Sequence, residues 1–238
     1  MLLERCLGFR AKMDFPAISN FRVIAALLGK NGQVYMGTNF EGAGMDDILC
    51  AERTAVVNAN MSGVRQFTHI AVIGDQKFGV GTEPVTPCGA CRQVLNEVAE
   101  LSGAPITVIS SNGDGTATHL TDTATLLPYS FGPKALSVDL GMHCVGHDSM
   151  SMVTASKDCS MERMSALALE ALRSAYAPYY PPSPATALLT KSGDIFLGAE
   201  FQNASYGLTI TALMAARAIA RVNLGKNPEI FEITESKG

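Results

Sequence analysis

Tryptophan is absent from this 238-residue chain, and aromatic residues make up only 7% of it. Proteins that hold single-stranded nucleic acid rely on aromatic stacking beside a basic groove. Here the formal net charge is −4, so the electrostatic footprint of a phosphate-backbone binder is missing as well. Long apolar runs are also lacking: none approaches the roughly 20 residues that span a bilayer. Charges interrupt the opening stretch MLLERCLGFRAK, which therefore does not read as a signal peptide. Charged residues are few, at 17% against 47% hydrophobic ones, and that balance excludes a disordered chain. Six cysteines without a secretory signal point to metal or thiol chemistry rather than to a disulfide framework. The expectation is a cytoplasmic globular protein with no nucleic-acid and no membrane partner.

What the chain does contain is a repeat. An offset of 161 residues places Ala187-Leu188-Leu189 on Ala26-Leu27-Leu28, Gly193 on Gly32, Gly198 on Gly37 and Phe201 on Phe40. The same offset carries Ala51, Ala55 and Ala59 onto Ala212, Ala216 and Ala220. Each copy opens with two short apolar strands around a Lys-Asn-Gly or Lys-Ser-Gly turn, a strong hairpin signal. These strands fall at 22–28 and 34–39, then again at 184–190 and 194–201. Helices follow from about 50 and 211. The first copy continues with a strand at 68–74, a helix at 89–101, a strand at 106–110 and a short helix at 122–127. A helix over 161–176 precedes the second copy, which reaches one more strand at 229–234. Alternation of this kind predicts an α/β layer protein. The predicted division is a first domain over 1–136, a linker over 137–160 and an incomplete second copy over 161–238. The linker holds His143-Cys144-Val145-Gly146-His147, which lacks a fourth ligand and a fixed frame and reads as loop.

Reactive groups concentrate in the first copy. Cys50-Ala51-Glu52 opens one helix and Pro87-Cys88-Gly89-Ala90-Cys91 opens another. Three thiolates suit a tetrahedral zinc ion with one position left open, as in catalytic sites. Helix N-termini favour thiolates through their free N–H groups and dipole. Three thiolates overcompensate Zn²⁺, and Arg53, three residues after Cys50, and Arg92, directly after Cys91, are placed to offset the excess. Glu52, next to the metal but not counted among its ligands, is suited to shuttle protons.

Cys-x-Glu followed by Pro-Cys-x-x-Cys resembles the zinc nucleoside deaminases, and CAERTAVVNA with PCGACRQVLNE is similar to cytidine deaminase in its three-cysteine variety. The resemblance covers residues 15 to about 136 and recurs, degenerate, over 161–238, like the two-domain dimeric form of that family. It implies a three-layer α/β/α fold, duplicated, with Zn²⁺ on Cys50, Cys88 and Cys91. It implies deamination of cytidine, with 2′-deoxycytidine beside it, by a zinc-activated water in pyrimidine salvage, with Glu52 carrying protons to N3 and to the leaving amine. Phe21 and Phe131 match aromatics at the base pocket, and Asn39 and Glu41 match the pair that binds the ribose 3′-hydroxyl. A nucleoside is the implied partner, and a homodimer the implied assembly. A polynucleotide deaminase and a non-catalytic zinc-stabilised subunit are the competing readings.

Two departures stand out. The family pattern continues past the ribose-binding glutamate as Asn-Ala-Ser/Cys-Tyr, whereas the first copy reads Gly42-Ala43-Gly44-Met45. The second copy keeps Asn203-Ala204-Ser205-Tyr206 in that slot but replaces Cys50 with Thr211 and Glu52 with Leu213. The resemblance thus implies a division of labour, with Ala204 and Tyr206 closing over substrate, in the partner chain of a dimer. Thr211 and Leu213 are expected to pack as ordinary core.

Overall fold

The structure is a computed structural model describing residues 2–42, 48–79, 81–141, 143, 153–155 and 160–236. Its first half runs through α1 (Leu2–Arg10), the hairpin β1 (Phe21–Gly29) and β2 (Val34–Thr38), and the short pair β3 (Phe40–Glu41) and β4 (Ile48–Leu49). Then follow α2 (Ala51–Met61), β5 (Phe67–Gln76), α3 (Gly89–Ser102), β6 (Thr107–Asn112), β7 (Thr118–Asp122) and the single turn α4 (Thr123–Leu126). The second half comprises β8 (Val153–Ala155), α5 (Met161–Ala171), β9 (Thr186–Thr190), β10 (Asp194–Gly198), α6 (Ala212–Leu224) and β11 (Ile230–Glu235).

The first sheet has the order β2-β1-β5-β6-β7. Only β5 and β6 run parallel, and α3 provides the crossover that a parallel pair requires. Ile24-Ala25-Ala26-Leu27 in β1 and Ile70-Ala71-Val72-Ile73 in β5 are buried without interruption, the pattern of strands covered on both faces. Ile24, Ala26, Ala71 and Ile73 pack with Cys6 of α1 and with Met13. Ala25, Leu27, Ile70 and Val72 face α2 and α3 on the other side. The second sheet, β11-β9-β10-β8, lies between Met164, Leu167 and Ala168 of α5 and Ala216, Ile219 and Ala220 of α6. Both halves are therefore α/β/α layers, and α2 packs on α6 where they meet.

The repeat is preserved down to strand register. Leu28 pairs with Val34 and Ala26 with Met36; Leu189 pairs with Ile195 and Ala187 with Leu197, each shifted by the same offset. Gly32 and Gly193 turn their hairpins at φ +79° and +88°, a conformation that costs glycine little. A Cβ on Gly37 would overlap the Ala51 carbonyl and the Ala55 amide, and one on Gly198 would overlap those of Ala212 and Ala216. In both copies the helix lies directly on the glycine, and its first turn is seated there.

At the level of secondary structure the chain departs from the sequence expectations as follows. Residues 137–160 are more than a surface connection, because Val153–Ala155 pair with β10 as an edge strand; three residues without periodicity give no strand signal. The helix predicted to reach 176 ends at Ala171, with a 3₁₀ turn over Leu172–Ser174. Tyr176 leaves it to bridge Phe201, and Pro178 could not have supplied a helical N–H. Helix α1 and strand β7 were not expected at all. Of the 143–147 motif, His143 packs edge-on against Tyr176 at 6.0 Å; Cys144 and His147, like Ala43–Met45, lie outside the described residues.

Candidate active site

Cys50 and Cys88 occupy the N-cap positions of α2 and α3, with extended backbones (φ −72°, ψ 158° and φ −67°, ψ 167°) and no side-chain capping bond. Their sulfurs are thus free to point away from the helices. They stand 3.8 Å apart, and Cys91 of the first turn of α3 completes a group whose three sulfurs lie within 4.8 Å of one another. A tetrahedral ion with Zn–S bonds of about 2.3 Å separates its sulfurs by about 3.8 Å. Without a cation, ionisation of one thiol is favoured at the expense of the other two. The hydrogen bond to Cys88 and burial push Cys50 up against an opposing bond from Cys91. Hydrogen bonds to both neighbours and burial push Cys91 up, and hydrogen bonds from both hold Cys88 below the usual thiol range. A cation between them is what allows all three to be thiolates, so the donor set fits zinc.

Glu52, one residue into α2, is only 4% exposed. Burial pushes its carboxyl up, the charge of Cys88 adds to this, and its own backbone N–H, Cys91 and Arg53 act in the opposite direction. Arg53 points Nη2 at the Cys50 sulfur, 3.7 Å away. Arg92, expected to do the same, instead donates to the carbonyls of Pro87 (2.8 Å) and Leu126 (3.3 Å). These bonds fasten the loop before Cys88.

The remaining predicted residues form two groups. At the mouth of β1 and β2, Asn39 accepts from the Val23 amide (2.9 Å) and donates to the Phe21 carbonyl (2.8 Å) and to Glu41 (3.4 Å). Ser19 binds both carboxylate oxygens of Glu41, at 3.0 and 2.5 Å. The Phe21 ring covers Gly74 beside Val85. In the second copy the corresponding Glu200 and Gln202 are turned onto residues 179–183, so that slot is filled by the chain itself.

The second group gathers on α3. Gln93 donates to the Phe131 carbonyl (2.6 Å) and to the Asn203 side chain (3.3 Å). Phe131 and Tyr206 are substantially exposed, while Ala204 is buried. The Ala204 N–H is not open to a ligand: it donates to Glu97 (3.0 Å). The loop 203–206 therefore docks within its own chain, onto the helix that bears two of the sulfurs. Sequence reasoning missed Glu97, which accepts from Tyr176 (2.7 Å) and Tyr179 (2.5 Å) as well. Burial pushes its carboxyl up and these three donors pull it back.

Thr211 stands where the first copy has Cys50, with nearly the same backbone (φ −68°, ψ 158°). Contrary to expectation it is not core: it is exposed, and its hydroxyl accepts from the Met214 amide (3.3 Å) as an N-cap. Where the first copy carries a sulfur facing the other two, the second carries an oxygen that caps the start of a helix. Leu213 is half-buried against the second core. Thr211→Ala is expected to cost about 1 kcal/mol in urea denaturation, the usual value of such a cap, without changing metal content.

Among the described residues no fourth side chain joins the three sulfurs, and three protein ligands with one position left over is the pattern of catalytic rather than structural zinc sites. Family models for the cytidine and deoxycytidylate deaminase zinc-binding region match residues 2–102 and 123–235. The cytidine deaminase of Photorhabdus laumondii is 30% identical over 223 residues, covering 92% of this chain and 67% of that protein. That of Aeromonas hydrophila is 34% identical over 217 residues, covering 90% and 66%. The crystal structure of cytidine deaminase from Burkholderia pseudomallei aligns with 37% identity and a TM-score of 0.48, over 55% of this chain and 96% of that one. The chain belongs to the cytidine and deoxycytidylate deaminase family, in a two-domain form, with zinc as its metal. It spans about two thirds of the length of the Photorhabdus and Aeromonas proteins.

Proposed function

We propose that this protein hydrolyses cytidine and 2′-deoxycytidine to uridine and 2′-deoxyuridine, releasing ammonia, as a step of pyrimidine salvage. The observation that carries the reading is Glu52, a buried carboxyl on the turn that follows Cys50. Zinc on Cys50, Cys88 and Cys91 would supply the Lewis acidity that makes water nucleophilic near neutral pH. Glu52 takes the proton of the attacking water and delivers one to N3, which makes C4 electrophilic. It then passes a proton to the exocyclic amine, which leaves as ammonia while C4 becomes a carbonyl. Proton transfer by a positioned side chain of this kind contributes roughly 10²–10⁴-fold.

Phe21 and Phe131 flank the base in this reading, and Glu41 accepts the 3′-hydroxyl. Asn39, its amide already engaged by β1, orients Glu41 more than it grips sugar. The loop with Ala204 and Tyr206 closes over the nucleoside. The family's two-domain plan supports a cytoplasmic homodimer of four deaminase-like units. The test is ultraviolet absorbance of cytidine, deoxycytidine and a cytosine-containing single-stranded oligonucleotide with zinc-loaded enzyme. Turnover of both nucleosides and none of the oligonucleotide is expected; inactivity toward both nucleosides would sink the proposal.

A further inference from the structure

Glu97 is fully buried in the middle of α3, and the chemistry proposed above makes no use of it. Burying an unpaired carboxylate costs several kcal/mol, so its acceptors must be matched by donors. Among the described residues its donors come from the second half: the hydroxyls of Tyr176 and Tyr179 and the amide of Ala204. Burial and the neighbouring carboxylate keep both phenols protonated, which makes them donors and Glu97 the acceptor. One helical turn earlier, on the same face of α3, Gln93 contacts Asn203, the residue before Ala204. Asn203 is fully buried and accepts from the Ser205 amide (2.9 Å). The loop is thus held at two successive positions of the helix that begins with Cys88 and Cys91. Tyr206 sits outside this anchor, its ring 5.8 Å from that of Tyr179 and 5.6 Å from that of Tyr180. The bond that fixes Tyr179 therefore also supports the platform under Tyr206.

We infer that Glu97 is a latch: it locks the second copy's 203–206 loop onto the metal-bearing helix of the same chain and so sets how tightly the nucleoside is held. It is a positioning residue, without contact to the reacting atoms, and this inference rests on the proposed closing role of the loop. The metal-free copy then serves the first copy in cis.

The test compares zinc-loaded wild type with Glu97→Gln, which puts a donor among donors, and with Tyr179→Phe, which removes a single hydroxyl from a half-buried ring. Tyr179→Phe decides alone if Glu97→Gln does not fold. Amide hydrogen exchange at Ala204 and Ser205 is expected to accelerate at least several-fold. KM for cytidine is expected to rise roughly three- to ten-fold, the loss of about one net hydrogen bond, with kcat within about two-fold and zinc content unchanged. Exchange at wild-type rates overturns the latch, as does faster exchange with an unchanged KM, or a fall in kcat that follows loss of zinc. Exchange can be read in protein with no turnover, so failure of the deaminase reading and failure of the latch are separable.

Discussion

Glutamine at position 52 is expected to lower kcat for cytidine by about 10²–10⁴-fold, the range for losing a general acid and base, while zinc content stays at the wild-type level. Glutamine matches glutamate in size, which matters because Glu52 is almost wholly buried and a smaller residue would leave a cavity next to α3. What glutamine cannot do is take a proton from water and return it to N3 and then to the amine. Both transfers are lost together, so a partial rescue by raising pH is not expected. The sulfurs are untouched, since Cys50 and Cys88 cap their helices through backbone geometry alone. Steady-state kinetics with parallel zinc analysis checks this. A kcat within ten-fold of wild type at full zinc occupancy would remove Glu52 from the chemistry and leave the three-sulfur centre without a proton carrier.

Why Glu52 could be singled out from the chain alone, and Glu97 could not, is a matter of distance along the sequence. Cys50 and Glu52 are two residues apart, as are the turn residues around Gly32, and their meaning lies in local spacing. The hairpins, their register and the seating of α2 and α6 also follow from short-range patterns that occur twice. Glu97 does interrupt the apolar stripe of Val94, Val98 and Leu101 on α3, and that anomaly is visible. Its donors, however, lie 79, 82 and 107 positions away, and nothing in a spacing rule names them. Arg92 is engaged differently from the expectation for a related reason. Adjacency to Cys91 suggested charge compensation, but a helical neighbour points about 100° away from the residue before it, and the Pro87 and Leu126 carbonyls lay on that side. Strand β8 fails through shortness: Val153–Ala155 becomes a strand only because β10 offers it an edge.

Alanine at Gly37 is expected to cost about 3 kcal/mol or more, at the upper end of overpacking substitutions, and to weaken zinc binding with it. The backbone at Gly37 does not require positive φ, so the cost is steric rather than conformational. A Cβ there meets the Ala51 carbonyl and the Ala55 amide, both backbone groups of the first turn of α2, which cannot swing aside as a side chain could. Relief requires the helix start to lift from β2, and Cys50 and Glu52 are carried on that start. Gly198→Ala meets the same two groups of α6, those of Ala212 and Ala216, and is expected to destabilise by a similar amount. There the lifted turn carries Thr211 and Leu213, so zinc stoichiometry should hold. The pair turns an internal repeat into a controlled comparison: one steric insult, delivered to two seats of the same shape, only one of which bears the metal ligand. Urea denaturation and zinc competition titration of both variants read the two effects separately. Equal weakening of zinc by both would mean that the two helices move as one body through the α2–α6 contact, and equal retention would mean that Cys50 is positioned by something other than the glycine seat.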